Sequence, residues 1–125
     1  MAIVDQFVFI VDDDNAVRDS LKTLLELQSF TVKTFETCQD FLSARSDGAA
    51  CLVLDIHLPG MSGLDLMEAM KRMDRGLPTI LITGRCDSAM RDRAKALGVV
   101  ALLEKPIDFG NLMAAIHSCV NASPV

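Results

Sequence analysis

Five short runs of apolar and β-branched residues alternate with longer stretches of helical periodicity, and this alternation strongly constrains the fold. The runs, each expected to form a strand, are Phe7–Val11, Thr31–Phe35, Ala50–Leu54, Pro78–Thr83 and Val100–Leu103. Runs that are apolar throughout, rather than at every second residue, are typical of strands buried on both faces of a parallel sheet. The sequence therefore predicts an α/β fold, a doubly wound parallel sheet with the flavodoxin-like strand order 2-1-3-4-5.

The intervening stretches carry the signals of amphipathic helices. Asp14 is expected to cap the first helix, Thr37 and Ser62 begin capping patterns for the next two, Gly98 ends the fourth, and the fifth begins near Asp108. The expected buried positions are Val17, Leu21, Leu24, Leu25 and Gln28 in the first helix, Leu64, Met67 and Met70 in the third, Met90, Ala94 and Leu97 in the fourth, and Leu112, Met113, Ile116 and Val120 in the fifth.

The length of 125 residues suits one domain with a single core. We expect residues 1–125 to form one domain, with a core of about 7–119 and a tail or start of a linker at 120–125. The N-terminus has no secretory signal pattern and no apolar run is long enough to span a bilayer, so a cytoplasmic location without membrane binding is expected. The net charge of −5 argues against direct binding to nucleic acid.

The four cysteines are widely separated in the sequence and form no C-x-x-C pair. Disulfide and zinc frameworks usually have closer or paired spacing. We therefore expect four reduced thiols, most of them in the core.

Polar side chains stand at the carboxyl ends of four predicted strands. Asp12 and Asp13 follow the first strand, Asp55 follows the third, Thr83 ends the fourth and Lys105 lies just beyond the fifth. Ligands of open α/β sheets bind at this edge, near the point where the strand order reverses. Clustered carboxylates repel one another unless a cation neutralises them, and Mg²⁺ prefers oxygen ligands while retaining waters. The pattern therefore predicts a Mg²⁺ site.

An acidic cluster, a lysine, a hydroxyl and Mg²⁺ together suit phosphoryl transfer, in which catalysis consists of positioning and charge stabilisation. Asp55 is the expected nucleophile because it stands alone after the central strand. Asp13, with Asp12 behind it, is expected to hold the metal, while Thr83 and Lys105 each contact a phosphoryl oxygen. Any one of these residues alone is more often an ordinary strand-end side chain, but all five at strand ends argue against coincidence.

Four segments resemble the receiver domains of bacterial two-component response regulators, namely Val11–Asp14, Leu54–Gly63, Ile80–Gly84 and Leu103–Pro106. The resemblance extends from about Phe7 to Cys119. In detail, the chain is similar to receivers of nitrogen-fixation-type transcription regulators. It implies a phosphoryl transfer from a sensor histidine kinase to Asp55, Mg²⁺ as cofactor and a downstream output domain or protein. It further implies that the backbone carbonyl of His57 binds the metal, that the bond before Pro106 is cis, and that the chain is a signalling receiver rather than an enzyme.

One position departs from the receiver pattern. Receivers commonly carry Tyr or Phe three residues before the lysine, whereas this chain has Leu102. In the usual switch, the threonine moves towards the phosphoryl group and the aromatic ring turns into the space it leaves. We expect Thr83 and Leu102 to be the switch residues here, with the segment Thr83–Ala89 as an alternative route for the signal.

The expected output surface is the face formed by the fourth helix, the fifth strand and the fifth helix. Its charged residues of mixed sign are Arg91, Arg93, Lys95, Glu104 and Asp108. Mixed charges suit a self-complementary contact, so a phosphorylation-dependent homodimer is a hypothesis for this face.

Two other functions compete with the switch. A phosphohydrolase of the haloacid-dehalogenase type would use Asp12 as nucleophile, but the chain is short, lacks a later acidic pair and would leave Asp55 without a role. A receiver-like interaction module that no longer switches is favoured only by Leu102. His57 and Arg85 flank the expected site, where they either control water access or are solvated loop residues.

Overall fold

The computed structural model describes residues 7–44 and 49–121, in which five strands alternate with five helices. They are β1 Phe7–Val11, α1 Asn15–Leu27, β2 Thr31–Phe35, α2 Cys38–Ser43, β3 Ala49–Asp55, α3 Gly63–Arg72, β4 Thr79–Thr83, α4 Ser88–Ala96, β5 Ala101–Glu104 and α5 Phe109–Asn121. Each strand boundary lies within one residue of its predicted position. Helix α5 extends into the segment predicted as a tail, and residues 122–125 of that segment lie outside the described residues.

The strands form one parallel sheet in the order β2-β1-β3-β4-β5, which confirms the predicted topology. The inner strands β1 and β4 are buried along almost their whole length, as is β3 from Cys51 onwards. The edge strands differ, because β2 alternates between exposed and buried residues at its start and β5 is only half-buried. Burial on both faces therefore applies to the centre of the sheet, where the strand order reverses between β1 and β3.

Helices cover both faces of the sheet and create two core layers. Val8 and Ile10 of β1 pack on the face that α1 and α5 cover, together with Leu25 and Ile116. The intervening strand positions point to the opposite face, which α2, α3 and α4 cover. Successive side chains of a strand point to opposite faces, so each inner strand contributes to both layers. No helix among the described residues is both long and apolar enough to cross a membrane.

The buried stripe of α1 differs from its prediction. Leu21 and Leu25 are buried and Val17 is half-buried, but Leu24 is 39% exposed and Gln28 is exposed as well. The position that completes the stripe is Arg18, which precedes Leu21 by three residues and Leu25 by seven and is itself buried. The stripe is rotated because this arginine, and not Leu24, faces the sheet. In α5, Leu112 and Ile116 are buried as expected, while Met113 and Val120 are half-buried.

Local hydrogen bonds explain where the helices begin. The Asp14 carboxylate accepts from the backbone N–H groups of Ala16 and Val17 at 2.8 and 3.2 Å, which confirms it as the cap of α1. Ser62 and Asp65 form a reciprocal capping box at α3. The Thr37 hydroxyl accepts from the Asp40 N–H at 3.0 Å and caps α2. These contacts set the direction in which α1 and α3 leave the carboxyl edge of the sheet.

The cysteines behave largely as predicted. No disulfide joins the four residues, all of which lie in the described ranges, and Cys38, Cys51 and Cys119 are buried while Cys86 is half-buried. The sequence did not predict that the Sγ atoms of Cys51 and Cys119 lie only 3.2 Å apart between β3 and α5.

Gly63 brings α3 directly against the end of β3. A Cβ atom at this position would lie 2.4 Å from the Asp55 carbonyl oxygen, closer than two non-bonded atoms can approach, and the Gly63 N–H donates to the Ile56 carbonyl at 2.9 Å. Only a residue without a side chain permits this approach, so Gly63 fixes the backbone that follows Asp55.

Gly63→Ala is therefore expected to lower the free energy of unfolding by about 1–3 kcal/mol, because backbone must shift to admit the methyl group. Urea unfolding followed by far-ultraviolet circular dichroism measures the change. Gly76→Ala is the matched control: its Cβ would meet nothing within 4 Å, so a change within ~0.5 kcal/mol is expected. Equal effects of the two substitutions would contradict this account.

Candidate functional site

The five polar residues singled out in the sequence meet at the carboxyl edge of the sheet. Asp12 and Asp13 directly follow β1, Asp55 is the last residue of β3, Thr83 is the last of β4, and Lys105 directly follows β5. Strands β1 and β3 are the pair at which the strand order reverses, so the site lies at the position where such sheets bind ligands. A cleft opens there, lined by Asp13, Asp14, Asp55, His57, Gly84, Arg85 and Lys105.

Three carboxylates converge at the floor of this cleft. Asp12, Asp13 and Asp55 each offer an oxygen atom, and these atoms lie within 4.8 Å of one another. Asp12 is fully buried and Asp55 is 3% exposed, whereas Asp13 is exposed. Asp12 thus lies behind the cleft, and Asp55 is among the residues that line it.

Lys105 offsets part of the negative charge. Its Nζ atom lies 3.1 Å from Asp55 Oδ2, to which it donates a hydrogen bond, and 3.3 Å from Asp12 Oδ2. Partial burial disfavours the charged ammonium, but the hydrogen bond to Asp55 and the charges of both aspartates outweigh it and raise the pKa of Lys105. The lysine is therefore held as a cation between the two buried acids.

The Asp12 carboxyl group is only partly compensated. Its Oδ1 atom accepts from the Asp14 N–H at 2.9 Å. Its buried Oδ2 atom has no hydrogen-bond partner in the described part of the chain, since the contact with Lys105 is within ion-pair range but not aligned as a hydrogen bond. Burial, followed by the charge of Asp55, raises the pKa of Asp12 and outweighs the hydrogen bond from the Asp14 N–H and the charge of Lys105, which lower it. The site therefore contains a buried oxygen with unused capacity for a cation.

Both oxygens of Asp55 have partners. Oδ1 accepts from the His57 N–H at 3.0 Å, and Oδ2 accepts from Lys105. The carboxylate is therefore held in one orientation by groups from two different loops.

Thr83 does not direct its hydroxyl group at Asp55 in this structure. The buried hydroxyl donates to the Arg85 carbonyl at 2.6 Å and accepts from the Arg85 N–H at 3.1 Å. The His57 ring, which belongs to the loop after β3, lies with Nε2 3.1 Å from the same carbonyl oxygen. His57 and Arg85 flank the site as the sequence predicted, and they also join its two sides.

Arg18 is a residue of the site that the sequence analysis missed. Its buried guanidinium donates to the backbone carbonyl of Asp12 and to the Asn15 side chain. It thereby fixes the turn that presents the two acids after β1. The signal was its helical spacing from Leu21 and Leu25, which places a cation on the buried face of α1.

Leu102 lies in β5, which is part of the expected output face. Leu102 pairs with Leu81 across β5 and β4, is half-buried, and packs against the core layer that includes Ala94 of α4. Arg91 of α4 forms an ion pair with Glu104 of β5 at 3.2 Å, so two charges of the expected output face are paired within the chain.

Two further contacts involve the same face. Arg93 bridges from α4 to Asp65 at 3.0 Å and to Glu68 on α3. The Asp108 carboxylate accepts from the Asn111 N–H at 2.9 Å at the start of α5.

The Lys105–Pro106 bond is cis, as the resemblance implied.

Comparison with known proteins identifies the family. The model of the response regulator receiver domain family matches residues 8–117, which is most of the chain. The chain belongs to the response-regulator receiver family. It is 37% identical over 114 residues to the transcriptional regulatory protein FixJ of Bradyrhizobium diazoefficiens, a match that covers 90% of this chain and 56% of FixJ. It is 33% identical over 118 residues to the response regulator protein TodT of Pseudomonas putida, covering 94% of this chain and 52% of TodT.

Solved structures agree with this assignment. The crystal structure of FixJ-N superimposes with a TM-score of 0.87 at 32% identity, covering 98% of this chain and 99% of that chain. The response regulator StyR gives a TM-score of 0.87 at 38% identity, covering 94% of this chain and 60% of that chain. The resemblance to nitrogen-fixation-type receivers is therefore confirmed. The receiver spans about half the length of the curated relatives it matches.

Family membership also bears on the alternatives. Receivers of two-component response regulators act as phosphorylation-dependent signalling switches, and this is the function with which the comparisons agree. They do not favour a haloacid-dehalogenase-type hydrolase. Asp12, the nucleophile of that alternative, is fully buried behind Asp55.

Asp12→Asn is expected to stabilise the receiver in EDTA at pH 7 by on the order of 1 kcal/mol. Because the folded state raises the pKa of Asp12, ionising this carboxyl disfavours folding. The advantage of the variant should therefore be present at neutral pH and vanish as the pH falls below the ordinary pKa of an aspartate. Urea unfolding between pH 3 and 7 measures it, with the exposed Asp13→Asn as control and a smaller gain expected there. A wild type as stable as Asp12→Asn at pH 7 would contradict the argument.

Proposed function

We propose that this receiver accepts a phosphoryl group on Asp55 from the phosphohistidine of a sensor histidine kinase, in a reaction that requires Mg²⁺. The observation that carries the proposal is the position of Asp55, which lines the cleft while its carboxylate is held between Lys105 and the His57 N–H. Asp55 is the acid of the cluster that combines an opening to the cleft with a fixed orientation.

The residues present fit a hard divalent cation. The buried Asp12 Oδ2 lacks a hydrogen-bond partner among residues 7–44 and 49–121, and oxygens of three carboxylates lie within 4.8 Å of one another. Asp12, Asp13 and Asp55, with the backbone carbonyl of His57, would hold Mg²⁺. When bound, the ion neutralises charge on the carboxylates and on the phosphoryl oxygens.

The protein's own groups then perform positioning and charge stabilisation. An Asp55 oxygen attacks phosphorus as the P–N bond of the donor breaks, and the donor imidazole leaves. Lys105, already 3.1 Å from Asp55, contacts one phosphoryl oxygen. Thr83 contacts another once its hydroxyl has left the Arg85 carbonyl, and a backbone N–H after β4 contacts the third.

The proposed consequence of phosphorylation is a rearrangement on the α4-β5-α5 face. Thr83 and Leu102 are the switch residues, and the output is received by a domain or protein downstream. The acidic receiver is not proposed to bind nucleic acid or membranes itself, and its chemistry is confined to phosphorylation and dephosphorylation of its own aspartate. We propose a cytoplasmic location, where a kinase and an output partner are both accessible.

Intact-mass spectrometry after incubation with acetyl phosphate and Mg²⁺ tests the acceptor. Wild type is expected to gain the mass of one phosphoryl group, lose it on treatment with hydroxylamine as an acyl phosphate does, and gain nothing in EDTA. Asp55→Asn should remain unmodified. Asp14→Asn is the matched control, since asparagine retains helix capping beside the cleft, and it should be modified like wild type.

The other outcomes of this measurement point to other functions. Modification of Asp55→Asn that disappears in Asp12→Asn would support the hydrolase alternative. A folded wild type that neither gains a phosphoryl group nor binds beryllofluoride, a phosphoryl mimic, would support an interaction module that does not switch.

We also propose that the phosphorylated receiver forms a homodimer through the α4-β5-α5 face. The exposed ion pair between Arg91 and Glu104 supports this, because two copies related by a two-fold axis can exchange such partners at little cost. Lys95 of the same face is exposed and adds a further cation.

Sedimentation velocity with Mg²⁺ and beryllofluoride should therefore show a dimer that is absent without the mimic. Arg91→Glu should weaken the dimer roughly tenfold, as expected for loss of one or two interfacial charge pairs, and the additional change Glu104→Arg should restore it. A sedimentation coefficient independent of concentration and of beryllofluoride would exclude this interface.

A further inference from the structure

A single backbone carbonyl links the two sides of the site. The Arg85 carbonyl, in the loop Gly84–Asp87 between β4 and α4, accepts the Thr83 hydroxyl at 2.6 Å and contacts Nε2 of the His57 ring at 3.1 Å. A carbonyl oxygen has two lone pairs, so it can accept both hydrogen bonds at once.

The chemistry of the pair defines the state of the imidazole. A carbonyl only accepts, so Nε2 of His57 must carry a proton and act as the donor. The backbone N–H of the same residue donates to Asp55 Oδ1 at 3.0 Å. His57 thus connects the proposed phosphoryl acceptor to the β4–α4 loop: its backbone N–H contacts Asp55, and its ring contacts the Arg85 carbonyl.

We propose that the His57 imidazole is a positioning residue that holds the β4–α4 loop in its resting arrangement and so keeps the Thr83 hydroxyl away from Asp55. The inference rests on the function proposed above, in which Thr83 must contact a phosphoryl oxygen. The hydroxyl has one proton and donates it to Arg85, so it serves the phosphoryl group only after that bond breaks. Because its ring contacts the same carbonyl, His57 stabilises the arrangement in which the hydrogen bond from Thr83 to Arg85 is intact.

This arrangement predicts the direction of the effect. A contact that exists only in the resting form lowers the affinity for a ligand that binds the active form. The affinity falls by the factor by which the contact favours the resting form. Removal of the imidazole donor should therefore tighten binding of beryllofluoride. The net contribution of one hydrogen bond of this kind corresponds to a change of about threefold to tenfold.

The experiment is a beryllofluoride titration at saturating Mg²⁺, after the Mg²⁺ affinity of each variant has been measured. The readout is the amide resonances of Gly84 and Arg85 in ¹⁵N-labelled protein, because the chain has no tryptophan. His57→Phe keeps a ring but has no donor, and should tighten binding about threefold to tenfold. His57→Gln retains an N–H donor and should bind like wild type.

A second background separates this role from simple shielding of the site by the ring. In Thr83→Ala no hydroxyl has to be released, so adding His57→Phe should leave the beryllofluoride affinity of Thr83→Ala unchanged. An equal gain in both backgrounds, or no gain in the wild-type background, would overturn the inference and leave the proposed function standing. Absence of any beryllofluoride adduct on wild type would overturn both.

Discussion

The structure depends on an electrostatic conflict at the carboxyl ends of β1 and β3. The two central strands place Asp12 and Asp55 side by side where little water reaches them, and like charges in such a position repel strongly. Lys105, carried from β5 across the neighbouring strand β4, lies within 3.3 Å of both. The cation that offsets the two acids therefore comes from the end of an edge strand, which ties the outer half of the sheet to its centre.

The surrounding contacts preserve this geometry. Arg18 holds the Asp12 carbonyl from beneath, and Gly63 allows α3 to pack directly on the backbone of Asp55. Neither residue lines the cleft, yet each fixes the main chain from which an acid extends. Compensation by Lys105 remains incomplete, since the pKa of Asp12 is still raised. A site whose acids are held by backbone contacts and that retains excess negative charge suits the divalent cation proposed above.

In the resting receiver, the lysine and the hydroxyl proposed to contact the phosphoryl group differ in their position relative to Asp55. Lys105 already contacts Asp55, whereas the Thr83 hydroxyl is bound to the Arg85 carbonyl. A phosphoryl group would therefore enter a site whose cationic groups are in place but whose hydroxyl must be released. In the proposed mechanism, release of the hydroxyl would give a second state that differs in this loop, and a switch requires two such states.

The sequence predicted those features that depend on local or periodic signals. The strands, their order, the caps at Asp14 and Ser62 and the meeting of polar residues at one edge follow from hydrophobic runs and from the geometry of parallel sheets. The sequence did not predict contacts to backbone atoms that lie far apart along the chain. The link between His57 and the Arg85 carbonyl joins residues 28 positions apart and involves an atom that every residue possesses.

Arg18 and Leu24 were misjudged for a related reason. Hydrophobicity assigns the buried face of α1 to leucines, but the site needs a cation beneath the Asp12 turn, and this tertiary requirement rotates the helix. Leu24 then becomes part of an apolar groove that also includes Pro106 and Ile107. Residue type alone does not reveal which polar side chain the core needs.

The same backbone connections bear on how the receiver signals with Leu102 in place of an aromatic residue. Leu102 is half-buried against the layer containing Ala94, and as a leucine it has neither the size of an aromatic ring nor the hydroxyl of a tyrosine. The loop offers a shorter path. Only Gly84–Asp87 separate Thr83 from α4, and the Asp87 carboxylate caps that helix by accepting from the Met90 N–H at 2.8 Å.

Displacement of Arg85 by release of Thr83 would therefore reach the first turn of α4 through the backbone. From there, the ion pair between Arg91 and Glu104 connects α4 to β5. This route requires no aromatic side chain, because the moving part is the loop whose carbonyl both Thr83 and His57 contact. By this route, the signal would depend on which groups hold the Arg85 carbonyl.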